Sequence, residues 1–451
     1  MSEPGRHSTL ADMHASVTSA AEADPSVAAL LAARPHLALH PMDGLLLEDV
    51  PLHAIADALG TPVWVYGAGT LRRRLAALRA ALGGVAQVHY AVKANDHLAV
   101  LGVLAAGGAG ADVVSGGELA RARRAGIAPA DIVFSGVGKT VAEIRGALAE
   151  GIAQLNVESA AELAMISAVA GAMGRIAPVA LRINPDVDAG THAKITTGLA
   201  ENKFGIPYAE AAALYAHAAT LPGVRPVGLA LHIGSQILAL APYRAAFARA
   251  AELVRALRAA GQTVTRMDCG GGLGIGYRDE PGAAPEALAG ALRAAFGGMD
   301  LDLMVEPGRW LVGPAGVLLA TVLLTKADGR IAVVDAAMTE LIRPAMYDAW
   351  HAIVPLAAAR AAAAPVPVDV VGPVCESSDT FARRRMLPPL AAGDRVALLD
   401  AGAYGAVMSA TYNARPLAPI AMVDGGRWDV IRPRQTVEDL WRGESVPTFL
   451  D

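Results

Sequence analysis

Short apolar or β-branched runs recur along the middle of the chain, at 88–92, 111–114, 131–134, 154–157, 178–183, 227–233, 264–268 and 301–305. Between them lie Ala- and Leu-rich stretches with helical spacing, such as 117–125, 141–150, 159–172, 208–219, 241–260 and 285–296. Strands apolar on both faces, alternating with helices, predict a parallel sheet covered by helices. Eight such strands fit a TIM-like (β/α)8 barrel, with an open doubly wound sheet as the second choice. Ahead of the barrel, 37–60 carries short strand-like pieces and one helical piece, punctuated by Pro41, Gly44, Pro51 and Gly60. Residues 62–66 read as a strand. Residues 71–82 read as a helix, with leucines at 71, 75, 78 and 82 on one face. After about residue 310 the texture changes. Strand-like runs at 317–324, 331–334, 366–371, 395–399 and 428–431 are separated by turns and one helical piece near 339–361. That pattern predicts a C-terminal, mainly antiparallel β domain over 311–451, behind a barrel over 61–310. Residues 1–36 match neither pattern and are expected to be an extension, disordered or loosely helical.

Composition narrows the classes. The 451 residues are 54% hydrophobic and 18% charged, enough to bury large cores. The 38 basic and 43 acidic residues give a net charge of −5, which argues against a nucleic-acid partner. No uninterrupted apolar run of membrane-spanning length is present, so no membrane partner is expected. The acidic residues Glu3, Asp12, Glu22 and Asp24 argue against a secretory leader. Two cysteines, Cys269 and Cys375, make no disulfide framework and suit a reducing cytoplasm.

Two nucleotide motifs fail. Gly138-Lys139-Thr140 ends like a phosphate loop, but Val133 stands where that loop needs its first glycine. The cluster Gly270-Gly271-Gly272-Leu273-Gly274 satisfies no frame of the dinucleotide fingerprint, although its amides can still cradle an anion.

In a barrel, chemistry gathers at the carboxyl ends of the strands. Taken in order, those ends carry Lys93, Ser115, Ser135, Glu158, Arg182 with Asn184, His232 to Gln236, the glycine cluster, and Glu306-Pro307-Gly308-Arg309. A lysine at the end of an apolar strand, if desolvated, has a lowered pKa and is a nucleophile. The glycines offer a phosphate cradle, with Ser235 adding a hydroxyl. His232 offers a flat face, and Glu306 a carboxylate for a ring nitrogen. Taken singly, His232 also reads as a bonded core residue and Glu306 as a rim ion pair. Together they are the parts that hold pyridoxal 5'-phosphate, with Lys93 as its covalent anchor.

With those residues in place, the chain resembles the fold-type III pyridoxal-phosphate decarboxylases, and among them the diaminopimelate decarboxylases, over about residues 40 to 450. The resemblance rests on Tyr90-Ala91-Val92-Lys93-Ala94-Asn95, Asp112-Val113-Val114-Ser115-Gly116-Gly117-Glu118, Thr197-Gly198, and Glu201-Asn202-Lys203-Phe204-Gly205-Ile206. It also rests on His232 to Gln236, the glycine cluster, Glu306 to Arg309, Arg343-Pro344-Ala345-Met346-Tyr347, Cys375-Glu376-Ser377-Ser378-Asp379, and Ala403-Tyr404-Gly405. It implies the alanine racemase-like fold, in which the segment 37–60 joins the C-terminal β domain. It implies cofactor contacts by Lys93, His232, Ser235, Gly271, Gly272, Gly274, Glu306, Gly308, Arg309 and Tyr404. It implies substrate contacts by Arg309, Arg343, Tyr347, Glu376 and Tyr404, with Cys375 as the acid that protonates the product carbon. It further implies a homodimer in which the Cys375 loop of one subunit completes the Lys93 site of the other. Two arginines suit a substrate whose far end bears a carboxylate. The expected reaction is therefore decarboxylation of meso-2,6-diaminopimelate to L-lysine, the last step of lysine biosynthesis by the diaminopimelate route, and no metal is expected. A substrate with one terminal amine, or a non-catalytic homologue, are the other readings.

Overall fold

The computed structural model describes residues 24–188 and 204–450. The motif positions 197–203 and the first 23 residues lie outside them. Eight parallel strands close into a barrel: β1 Gln87–Ala91, β2 Gly110–Val113, β3 Ile132–Phe134, β4 Gln154–Val157, β5 Ala177–Asn184, β6 Val224–Ala230, β7 Arg266–Asp268 and β8 Asp302–Val305. β8 pairs β1, and β4 pairs β5, so the ring has no free edge. All eight runs of the hydrophobic pattern are strands of this ring.

The helices between them follow from capping and periodicity. Thr140 and Glu143 form a capping box that starts the helix Val141–Glu150. The hydroxyls of Ser115 and Ser159 cap the helices Gly116–Arg124 and Ala160–Met173 by accepting the N–H groups of Glu118 and Glu162. In the helix Ala68–Leu82, Leu71, Leu75, Leu78 and Leu82 are buried against the barrel, as their spacing predicts. Lys139, the lysine of the failed phosphate loop, is a structural tie. It donates to Gly136 O, Asn156 O and Glu162 Oε1 at 2.7–2.8 Å.

The second sheet runs in the order Thr380–Leu387, Val366–Val371, Ile331–Val334, Gly316–Lys326, Val63–Gly67, Ile420–Asp424, Arg427–Arg432. It is mainly antiparallel, with two parallel pairings. Here the chain departs from its sequence pattern in one respect: Val63–Gly67, expected to open the barrel unit, is hydrogen-bonded between Gly316–Lys326 and Ile420–Asp424 in the second sheet. Its residues are buried on both faces. Trp64 and Tyr66 enter one core with Leu318 and Ala320, while Val63 and Val65 enter another with Val317 and Leu319. The second of these cores is completed by Leu30, Leu37, Leu45, Leu47 and Ile55 from the small sheet and helix of residues 27–59. Residues 24–36 are packed: Ser26 caps the helix Val27–Ala32, and Arg34 forms a buried ion pair with Asp400. No helix among the described residues is long and apolar enough to cross a membrane.

Candidate active site

At the carboxyl ends of the barrel strands is a cavity of about 310 Å3, lined by Lys93, Ser135, Asn156, Arg182, His232, Asp268, Glu306 and neighbouring apolar residues. Its size is that of a small-molecule pocket. Lys93 sits in a single 3-10 turn directly after β1. The β1–β2 register sets Ala91 opposite Asp112, so the lysine reaches across to that carboxylate, and Nζ donates to Asp112 Oδ2 at 2.7 Å. Asp112 is fully buried. Burial alone would lower the amine's pKa, but Asp112, Glu306 and Tyr404 outweigh it and raise it. The lowered pKa expected from the sequence is therefore corrected. The lysine is held charged by the carboxylate of Asp112.

Glu306 follows β8, and its backbone N–H donates to Gly270 O at 2.8 Å. Burial, Asp112 and Asp268 push its carboxyl well above the usual range, and it is hydrogen-bonded to Asp268. Asp268 in turn accepts from Asn156 Nδ2 at 2.8 Å and from the Gly270 N–H at 3.0 Å. A carboxyl carrying a proton at this point can present it to a basic ring nitrogen.

The glycine turn begins after β7. A Cβ at Gly271 would collide with Glu306 O, and one at Gly272, where φ is +98°, with Gly234 O. The Gly271 N–H donates to His232 Nδ1 at 3.2 Å, and the Gly274 N–H to Ile237 O at 3.0 Å. These two amides are thus committed within the turn. Other donors stand next to it. Arg309 opens the short helix Arg309–Val312 behind Gly308. Its Nη2 donates to Ser235 Oγ at 3.1 Å and its Nη1 to Tyr277 Oη at 2.7 Å, while Nε is buried with no partner. An orphaned buried guanidinium nitrogen beside a glycine turn fits a phosphate oxygen. Burial, Arg182 and Lys93 hold His232 neutral, well below its ordinary pKa. Gly308 packs against Ala94 and Ala91, where a larger residue would press on the lysine turn. A lysine amine and a carboxyl with a raised pKa in the cavity, with an orphaned guanidinium nitrogen and a glycine turn at the same ends of the strands, are the side chains that fit pyridoxal phosphate.

Tyr404 lies beside this pocket. Its N–H donates to Ala94 O at 2.8 Å, and the Arg309 guanidinium lies 4.9 Å from its ring centroid. Arg343 starts the helix Arg343–Tyr347 and is buried. It lies over the Tyr277 ring at 4.8 Å and meets His351 Nε2 at 2.6 Å. Tyr347 is half-buried on the same helix. Among the described residues neither Arg309 nor Arg343 has a carboxylate partner; their partners are hydroxyls and an imidazole. Cys375 and Glu376 are not brought into the pocket. They are exposed, on the loop joining Val366–Val371 to Thr380–Leu387. Asp379 fixes that loop by accepting the N–H groups of Val374 and Met338 at 2.8 and 2.6 Å. Glu158 and Arg182, at the ends of β4 and β5, pair with each other at 2.6 Å.

The sequence reading gave Asp112, Asp268, Tyr277 and His351 no role. Asp112 had a signal, as an acid inside the otherwise apolar strand Gly110–Val113, whereas Asp268 ends the strand Arg266–Asp268, which already carries a charge. Tyr277 and His351 sit in irregular segments and had none.

The family model described as "Pyridoxal-dependent decarboxylase, pyridoxal binding domain" matches residues 68–313, just over half of the chain. The diaminopimelate decarboxylase of Zymomonas mobilis is 47% identical over 90% of this chain and 98% of its own. The chain belongs to the pyridoxal-dependent decarboxylases. Other members of this decarboxylase family are similar over most of their length. The diaminopimelate decarboxylase of Pseudomonas aeruginosa is 47% identical over 89% of this chain and 97% of its own. The crystal structure of the Helicobacter pylori enzyme complexed with L-lysine superposes with a TM-score of 0.84, at 40% identity, over 87% of this chain and 98% of that one. This decarboxylase therefore has the family's barrel and β domain, and pyridoxal phosphate is its cofactor.

Proposed function

We propose that the protein decarboxylates meso-2,6-diaminopimelate to L-lysine and CO2, as a homodimer with shared active sites. The observation that carries the substrate is the pair of buried arginines, Arg309 and Arg343, with no carboxylate of their own. An uncompensated buried cation beside a cofactor pocket calls for an anionic group on the ligand. The identities of 41–47% to curated diaminopimelate decarboxylases support the same substrate.

In this reading Lys93 anchors the cofactor, Arg309 and Ser235 hold its phosphate, Gly271, Gly272, Gly274 and Gly308 let the backbone approach it, and Tyr404 borders it. His232 would lie against the cofactor's ring, and Glu306 would keep a proton on its nitrogen. The bound cofactor supplies the sink for the electron pair left when CO2 departs from the D-configured carbon. Arg309, which also faces the phosphate site, acts with Arg343 and Tyr347 to hold the distal carboxylate, which places the D centre at the cofactor and excludes the reverse orientation. Cys375 Sγ, from a partner subunit, gives its proton to the carbon that lost CO2, and Glu376 of the same loop takes the distal ammonium. The exposure of both residues in the single chain supports their use across an interface.

The test is CO2 release from meso-diaminopimelate, L-lysine, ornithine and arginine, with and without pyridoxal phosphate. Release from meso-diaminopimelate alone, dependent on the cofactor and abolished by Lys93→Ala, is expected. Equal release from ornithine, or full activity in Lys93→Ala, contradicts the reading.

A further inference from the structure

His351 is 1% exposed and precedes the strand Ile353–Pro355, which pairs with Arg395–Leu398. Its Nδ1 is 2.8 Å from Leu399 O, a carbonyl that can only accept. Its Nε2 is 2.6 Å from Arg343 Nη1, a group that can only donate. Both contacts demand the same neutral tautomer, with the proton on Nδ1 and the lone pair on Nε2 aimed at the arginine. Burial, Arg343, Arg309 and Arg385 all disfavour a second proton on the ring. The ring is locked on its other sides. It meets Tyr277 edge-on, with centroids 5.3 Å apart and planes at 78°, and the backbone carbonyl of His351 accepts from Arg385 Nη1 at 2.9 Å. Tyr277 then connects the assembly to Arg309 through its hydroxyl.

A carboxylate at position 351 would hold Arg343 as firmly but would neutralise it. A neutral acceptor fixes the direction of the guanidinium and leaves its charge for the ligand. We propose that His351 is the positioning residue for Arg343, and that this neutral imidazole sets the enzyme's selectivity for ligands whose distal end carries a carboxylate. The proposal rests on the substrate reading above, in which L-lysine keeps the distal carboxylate and 1,5-diaminopentane lacks it.

Two polar substitutions separate the two faces of the ring. Asparagine reproduces the Nδ1 side and can still donate to Leu399 O, but it does not reach Arg343. Glutamine reproduces the Nε2 side and its amide oxygen can accept from Arg343. Binding of L-lysine and of 1,5-diaminopentane to the holoenzyme is followed by the cofactor's visible absorbance and by calorimetry. His351→Asn is expected to weaken L-lysine by about tenfold or more and to leave 1,5-diaminopentane unchanged, whereas His351→Gln stays within about threefold of wild type for both. An Asn variant with unchanged L-lysine affinity, a parallel loss for both ligands, or a Gln variant as weak as the Asn variant overturns the proposal. Should the Asn variant fail to retain cofactor, the Gln variant decides alone: selectivity kept supports the proposal, and selectivity lost with intact cofactor absorbance overturns it. A wild-type enzyme that shows this pattern but releases no CO2 from meso-diaminopimelate contradicts the substrate reading and not the role of His351.

Discussion

Asp112 decides the chemical state of Lys93 before any cofactor arrives. A protonated amine cannot attack an aldehyde, so the carboxylate that steadies the lysine also slows its capture of pyridoxal phosphate at low pH. In Asp112→Asn the burial of Lys93 persists without its first opposing charge, and the amine's pKa falls. The pH profile for cofactor capture by the apoenzyme, followed by absorbance, should shift to lower pH by about one unit or more. An unchanged profile would show that Asp112 does not control the amine. Most of the polar residues at the strand ends could be read from sequence because the barrel brings strand ends together whatever their spacing along the chain. The lysine's charge state could not. It depends on which residue of β2 faces residue 91, and that is fixed by register alone.

At the scale of elements, the continuous apolar runs made the barrel strands visible, and the spacing of leucines and alanines marked the helices between them. The misses have physical causes. The helix Leu98–Ala106 is apolar on all sides and shows no amphipathic period. The strand Thr380–Leu387 contains Arg383, Arg384 and Arg385, three successive charges that give it no apolar run. Arg385 is instead buried, with its guanidinium 4.4 Å from the Trp350 ring centroid. The segment of residues 24–36 is held in part by Arg34, and next to it His36 has its pKa lowered to about 4 by burial, Arg74, Arg34 and Arg73. The sign follows from linkage. The unfolded chain takes up this proton near its ordinary value, the folded chain does not, and so stability is lost as pH falls from about 6.5 toward 4. His36→Gln removes that titration. Its melting temperature should fall less than wild type's between pH 7 and pH 5, and an identical fall would contradict the assignment.

For the whole molecule, the single chain brings together the cofactor pocket and both arginines but leaves Cys375 on an exposed loop. A site completed by a second copy has a distinctive consequence. Lys93→Ala and Cys375→Ala should each be nearly inactive, yet unfolding and refolding a mixture should restore up to about 25% of wild-type activity, because half of the dimers are mixed and each carries one intact site. Absence of recovery, with dimers present by light scattering, would place both residues in the same subunit's site.

In the proposed reaction Arg343 reads a distal carboxylate while chemistry occurs at a D-configured carbon over Lys93. D-lysine keeps that carbon and lacks only the distal carboxylate. The direct measurement is kcat/KM for CO2 release from meso-diaminopimelate and from D-lysine by the same holoenzyme. We expect a preference for meso-diaminopimelate of about a hundredfold or more, reduced to within about tenfold in Arg343→Ala. Comparable values for the two substrates in the wild-type enzyme would contradict the account.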